Sequence, residues 1–216
     1  GRIMALPSEK LITINDRGAR VATTFGSLTS GGANMVFIKK LTASSSGTLS
    51  FVDGASSVVL DNTYKEYLFT FKNIHPAGLN RFQFNGSIDA GSNYNVVKTS
   101  TIFVAHHAEG GTDGNLQYQS GDDLAQSTAF QDLMAYGNQD ADNDHSLNGT
   151  LQLFNPSSTT FVKHFIATTQ GNIDTNYSVN SFVAGYFNNT SAVDAIRFQM
   201  NSGNIDAGDI CLYGIL

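Results

Sequence analysis

The stretch Arg81-Phe82-Gln83-Phe84-Asn85-Gly86-Ser87-Ile88-Asp89-Ala90-Gly91 returns later as Arg197-Phe198-Gln199-Met200-Asn201-Ser202-Gly203-Asn204-Ile205-Asp206-Ala207-Gly208, with Ser202 inserted in the second copy. Upstream, Phe71 and Asn73 match Phe187 and Asn189 in the same alignment. Both copies set a large apolar side chain at every second position and then break into a polar turn. Successive side chains of a strand point to opposite faces, so the pattern prescribes a strand with one face on a core and one in water. The repeated unit carries no nucleophile, metal cage or phosphate loop. What the chain repeats is architecture.

The same alternation recurs elsewhere. Leu49 and Phe51, then Tyr67, Phe69 and Phe71, then Phe82 and Phe84, then Ile196, Phe198 and Met200 each mark one face of a strand. The runs 101–107, 161–167 and 179–187 are apolar on both faces and are expected to be central strands or a buried interface. Asn85-Gly86, Asn148-Gly149 and Asp53-Gly54 read as turn dipeptides, and Pro156 closes the segment from Thr150 to Phe154. Only Asp122 to Tyr136 offers a helical spacing, and Phe130 to Tyr136 reads equally as a short strand. The expected fold is all-β, a β-sandwich of jelly-roll type. Residues 1–34 form an extended arm and residues 35–216 a single domain. The repeat fits either two related Greek keys or one good hairpin used twice.

Charged residues are only 14% of the chain while aromatics reach 11%, a balance that fits a folded β protein with a neutral exterior rather than a disordered one. The net charge of -6 argues against a nucleic-acid partner, whose phosphates call for Lys and Arg, and against a polybasic membrane anchor. No apolar run approaches ~20 residues, and Gly1 to Pro7 holds no signal-peptide core. Cys211 is the single cysteine, so no disulfide forms within the chain. In Ile210-Cys211-Leu212-Tyr213 it reads as a buried spectator.

Several residue groups invite a chemical reading. His106 and His107, with Glu109 and Asp113, form the most enzyme-like cluster. Neighbours on a strand face opposite ways, so the two imidazoles are expected to be a strand-end polar pair and not joint metal ligands. Asp140-Ala141-Asp142-Asn143-Asp144-His145 opens like a calcium loop, but His145 stands where glycine is required and Leu151 where glutamate is. A solvated acidic loop is expected. Asp89 and Asp206 are expected to accept backbone N–H groups in turns, with Gly91 and Gly208 at positive φ and with Arg81 and Arg197 pairing onto them. No Gly-x-Ser-x-Gly elbow occurs. The sequons at Asn85, Asn148, Asn176, Asn188 and Asn189 are what so Asn-, Ser- and Thr-rich a chain produces by chance. The expectation is no catalytic residue, no cofactor and no metal site.

Certain segments do resemble a known group. Tyr67-Leu68-Phe69 with Asn73-Ile74-His75-Pro76-Ala77 is one, and Leu153 to Thr160 with Val162-Lys163-His164-Phe165 is another. Together with Val183-Ala184-Gly185-Tyr186-Phe187 and the ending Met200 to Ile215, they resemble a domain of bacteriophage structural proteins. It recurs in phages of aquatic bacteria, cyanophages included, at the ends of tail-fibre-like proteins and as short free-standing virion proteins. The resemblance covers residues 35–216. It implies an accessory virion protein displayed on the particle exterior, as a capsid decoration or a fibre tip, without catalysis. Strands apolar on both faces suggest a surface buried between identical subunits, a trimer by family analogy, and residues 1–34, which lack the match, are the segment expected to attach the protein to capsid or tail proteins. The other reading is a glycan-binding module for the host surface. Residues 1–34, the loop 109–114 and the acidic loop 138–148 are the places to look for function.

Overall fold

The computed structural model describes residues 34–216, and Met35–Leu216 forms one compact unit. The arm expected over residues 1–34 lies outside the described residues save for Asn34. Twelve strands and no helix are present among the described residues. They are β1 (Met35–Thr42), β2 (Thr48–Val52), β3 (Glu66–Pro76), β4 (Phe82–Ser87), β5 (Lys98–Ala108), β6 (Gly114–Tyr118), β7 (Gln131–Asp132), β8 (Leu147–Phe154), β9 (Lys163–Ile173), β10 (Tyr177–Phe187), β11 (Ala195–Met200) and β12 (Ile205–Ile215). Two antiparallel sheets result: eight strands in the order β1-β12-β3-β8-β9-β10-β5-β6, and four in the order β2-β11-β4-β7. This is the all-β sandwich that the alternation prescribes.

The two repeated strands, β4 and β11, lie side by side in the small sheet, with Phe198 opposite Phe84 and Met200 opposite Phe82. All four are buried, and the Phe198 ring meets those of Phe51, Phe69, Phe71, Phe82 and Phe84. Because Phe69 and Phe71 come from β3, these edge-to-face contacts join the sheets. The small sheet covers only part of the large one. Over β5, β9 and β10 the irregular segment 119–146 takes its place: Ser100 N–H donates to Leu124 O (2.8 Å), the Thr169 hydroxyl to Leu133 O, and Ala135 N–H to the Ser181 hydroxyl (3.2 Å). Leu133, Met134 and Ala135 are buried there, and of the two readings open for 122–136, a helix or a short strand over 130–136, the short strand is present, as β7.

Local turn chemistry yields to tertiary context at several points. Asp53-Gly54 is a turn, with Gly54 at φ +73°. Asn85-Gly86 is not; it lies inside β4, where the buried Asn85 amide donates to Tyr94 O (2.8 Å) and Thr128 O (3.0 Å). A fully satisfied amide is what lets that asparagine sit in a core strand. Asn148-Gly149 also lies within a strand, β8, opposite a bulge in β3, where Asn148 Oδ1 accepts from Asn73 N–H at 2.9 Å. Of the two Asp-Ala-Gly copies, residues 89–91 form a turn, whereas 206–208 lie in β12 across two register shifts. Cys211 is half-buried rather than buried: inward-facing Ile210 and Leu212 put it on the outer face of β12, between Lys40 and Thr70.

Two lysines are buried. Lys163 and Lys98 stand on either side of Phe187 in one cross-strand row, all three facing inward. Lys98 Nζ donates to Ala129 O and sits 5.9 Å over the Phe187 ring, while Lys163 Nζ donates to Asn189 O (2.9 Å) and Phe161 O (3.1 Å). Carbonyl dipoles, not carboxylates, satisfy these ammonium groups.

Candidate functional site

Two of the residue groups singled out by chemistry, at the loops 109–114 and 138–148, come together in the fold. His106 faces inward and His107 outward, as neighbours on a strand must. The His106 ring stacks on Tyr136 at 3.9 Å and meets Tyr177 edge-on at 5.6 Å, and its Nε2 lies 3.5 Å from the Asp113 carboxylate. Tyr136 adopts φ +81°, a left-handed conformation that costs a bulky residue about 1–3 kcal/mol, which the stacking helps to offset. Burial and the facing Asp113 carboxylate push the Tyr177 phenol up. A general base must reach a substrate proton. The His106 imidazole is only 2% exposed and boxed by two rings, so it serves packing. Glu109 uses its backbone N–H to hold Asn176 O at 2.9 Å.

The acidic loop is likewise closed on itself. Asp140 Oδ1 accepts from Asp142 N–H (2.9 Å) and pairs with His145 Nδ1 (2.5 Å), and Gln139 Nε2 donates to His145 O (3.2 Å). The Asp142 N–H, and after it the His145 ring, hold the Asp140 carboxyl below its usual range. Ligand atoms of Asp140, Asp142 and His145 lie within 4.8 Å of one another. The Asp140–His145 bond takes up Asp140 Oδ1 and His145 Nδ1, two of the atoms a cation could use. The two loops meet across the β9–β10 turn, where Asp174 N–H donates to Asn138 O at 2.9 Å and Asn176 O receives Glu109. Sequence reading put both loops forward, and the fold does bring them together, as a mutually braced rim.

The repeat's polar residues prove structural. Arg81 pairs with Asp122 and with Asp132 (3.2 Å), and Arg197 lies 3.8 Å over the Tyr94 ring, so neither meets Asp89 or Asp206 as expected. Alternation beside inward Phe82 and Phe198 turns both arginines to the small sheet's outer side, where Asp122 and Asp132 meet the one and the Tyr94 ring the other. Asp89 does what its turn demands, accepting from Asn93 N–H (2.8 Å), Asn93 Nδ2 (2.7 Å) and the Ser87 hydroxyl (2.7 Å). The Asp206 side chain instead lies 4.0 Å from His75 Nδ1. The Asn93 and Ser87 bonds push the Asp89 carboxyl down to about 2. Its stabilising effect is therefore present above the ordinary carboxylate range and lost as pH falls toward 2. Asp89→Ala should melt below wild type at neutral pH, with the gap closing on acidification. Identical neutral-pH melting curves would refute the bracing role.

A different surface has the features of a contact site. The three runs apolar on both faces are β5, β9 and β10, which are neighbours in the large sheet. Their inward side chains join the core. Outward, Phe103 stacks flat on Phe182 (4.8 Å, 10°) beside Tyr118, with Thr168 completing that cross-strand row. The next row sets Ile166, Ala184 and Thr101 side by side. Phe103, Leu116, Tyr118 and Ile166 are exposed, from 40% to 64%. A groove of about 540 Å³ opens in this face between Thr99 and Thr101 of β5 and His164 and Ile166 of β9, with Tyr186 at its side. Gly185 forms part of its floor, and a Cβ there would stand 2.6 Å from the inward Phe165 ring and 2.5 Å from Thr99 O, so the close strand packing beneath the groove requires glycine. The sequence signal for this site was the doubled apolar pattern, and its chemistry is that of a contact surface. No protein-family model, no curated protein and no solved structure matches the chain to a significant degree.

Proposed function

We propose that this chain is an accessory structural protein of a phage particle, displayed on the exterior as a capsid decoration or a fibre tip, and that it acts by assembly instead of catalysis. The observation that carries the reading is the outer face of β5, β6, β9 and β10, where apolar and aromatic side chains lie exposed. Isolated apolar residues on a surface are ordinary, but a contiguous patch marks a contact site. The core supports the same reading, since packed rings sustain the fold without disulfides, as a durable coat component requires. The strand order also fits a jelly roll. β1-β12-β3-β8 and β2-β11-β4-β7 nest as its two four-stranded sheets, and the hairpins β5-β6 and β9-β10 extend one of them. Jelly rolls serve as coat and lectin domains, a fold-level analogy only. Residues 1–34 would carry attachment to capsid or tail, and the assembled form would be a homo-oligomer, a trimer on the resemblance described above.

The test is immunogold labelling of intact particles with antibody raised against this chain. Gold on the head surface or at fibre tips is expected. Unlabelled particles in a lysate that contains the protein would overturn the proposal.

One observation favours a second reading, a glycan-binding module. The groove combines hydroxyls of Thr99 and Thr101 with the rings of His164 and Tyr186, whose centroids are 5.8 Å apart. Hydroxyls and ring faces suit a sugar. Glycan-array binding that disappears in Tyr186→Ala would favour this reading.

A further inference from the structure

The outward side of the large sheet is divided by charge. On β1, β3 and β12 it carries Lys40, Glu66, Lys72 and Asp209, with Lys40 and Asp209 3.3 Å apart. On β5, β6, β9 and β10 the only Lys, Arg, Asp or Glu residues are Lys98 and Lys163, and both face inward and are buried. The two halves belong to one sheet, and both cover the same core from the same side. The demands of the core therefore do not account for the difference; the demands of the outer surface do.

We infer that the outward face of β5, β6, β9 and β10 is buried against the same face of a second copy of this chain, an inference that rests on the assembly reading above and names its partner. Charge selects the occupant. A basic partner would find no carboxylate on this face to pair with, and an acidic one would be repelled by a chain of net charge -6. An uncharged surface with an apolar centre fits, and the same face of a neighbouring copy, brought up around a two-fold or three-fold axis, supplies one. Size agrees. β5, β9 and β10 have 11 residues each. Strands of that length run about 36 Å, and four strands span about 19 Å, so the face offers at most about 700 Å² in projection, near the ~800 Å² each partner gives to a standard interface. Anatomy agrees as well. Phe103, Phe182 and Ile166 form an apolar centre, while at the rim the Tyr118 hydroxyl donates to Asp123.

Sedimentation equilibrium of the full chain tests this, with Ile166→Glu and Thr101→Arg as face variants. Both positions are exposed, so the fold should survive, and circular dichroism checks that it does. Thr70→Glu places a charge on the other half of the same sheet side. Wild type is expected to sediment at a whole multiple of the single-chain mass, which also gives the order of the oligomer. Each face variant should weaken association about tenfold or more, and Thr70→Glu should leave it unchanged. A wild type that stays monomeric at every concentration would overturn the inference, as would association indifferent to both face variants. Labelled particles with a monomeric chain would remove the inference alone, and association without labelling would remove the virion reading alone.

Discussion

Phe198→Ala is expected to destabilise the domain by about 3–5 kcal/mol, the range for truncating a fully buried phenylalanine, and to lower Tm by about 6–20 °C. The size of the effect follows from position. Phe198 has no exposed surface and its ring meets five others, from β2, β3 and β4, with the Phe69 and Phe71 contacts at 5.3 Å each crossing between the sheets. Removing the ring leaves a void lined by rigid aromatic rings that collapse poorly. It also removes the ring–ring attractions, edge-to-face with Phe51, Phe69 and Phe71 and stacked with Phe82, that add to area burial. Phe161→Ala is the control: that ring is 69% exposed and its loss should change stability by less than about 0.5 kcal/mol. Calorimetry on the three proteins decides the matter. Equal Tm for wild type and Phe198→Ala would mean that the two sheets do not meet through this residue.

How far the fold could be read from sequence depends on the range of the interaction involved. Period-two alternation is local and strong, and Phe51, Phe69, Phe82 and Phe198 all face the core as it prescribes. The same rule would have placed Cys211 correctly. Ile210 and Leu212 must face inward, so their neighbour faces out, but the residue's preference for burial was weighted above its position. Asn85-Gly86 misleads for a different reason. Turn propensity describes an isolated dipeptide, whereas the Asn85 amide is satisfied by Tyr94 and Thr128, residues whose proximity is decided by the whole fold. The second Asp-Ala-Gly fails likewise, because β12 has to pair with β1 and β3 through that stretch.

The candidate site shows the same division. Residues apolar on both faces prescribed central strands or a buried interface along 101–107, 161–167 and 179–187; β5, β9 and β10 are central strands of the large sheet, and that signal is intrinsic to each strand. That the three strands lie adjacent as β9-β10-β5 is a matter of long-range pairing, since β5 joins β10 rather than its sequence neighbour β4. The groove between Thr99 and His164 follows from that pairing and had no separate trace in the sequence. The loops 109–114 and 138–148 stood out for their residue types. Asp113 proved to face His106 of β5 and Asp140 to face His145, relations that spacing along the chain does not encode.

Lys98→Met is expected to stabilise the domain at neutral pH by about 1–4 kcal/mol, an order of magnitude carried over from buried ion pairs replaced by apolar groups, because it removes a buried ammonium that no carboxylate offsets. Burial pushes the Lys98 ammonium down to about 7, and no carboxylate offsets it. In the unfolded chain the same group titrates near 10.4. Between these values the unfolded chain holds a proton that the folded chain has released, so stability rises with pH from about 7 to about 10. Below 7 both states are protonated and the penalty for burying the charge is present in full. Burial also lowers Lys163, which adds to the rise in the same direction. Burial pushes the Tyr67 phenol the other way, upward, so above ~10 the unfolded chain loses a proton that the folded one keeps, and stability falls again. Wild-type stability should therefore peak in the alkaline range. Urea unfolding at pH 6 to 10 should show a shallower rise for Lys98→Met, and a nearly flat profile for Lys98→Met combined with Lys163→Met. Parallel profiles for wild type and Lys98→Met would mean that Lys98 stays charged in the folded protein, with the Ala129 carbonyl and the Phe187 ring sufficient to hold it so.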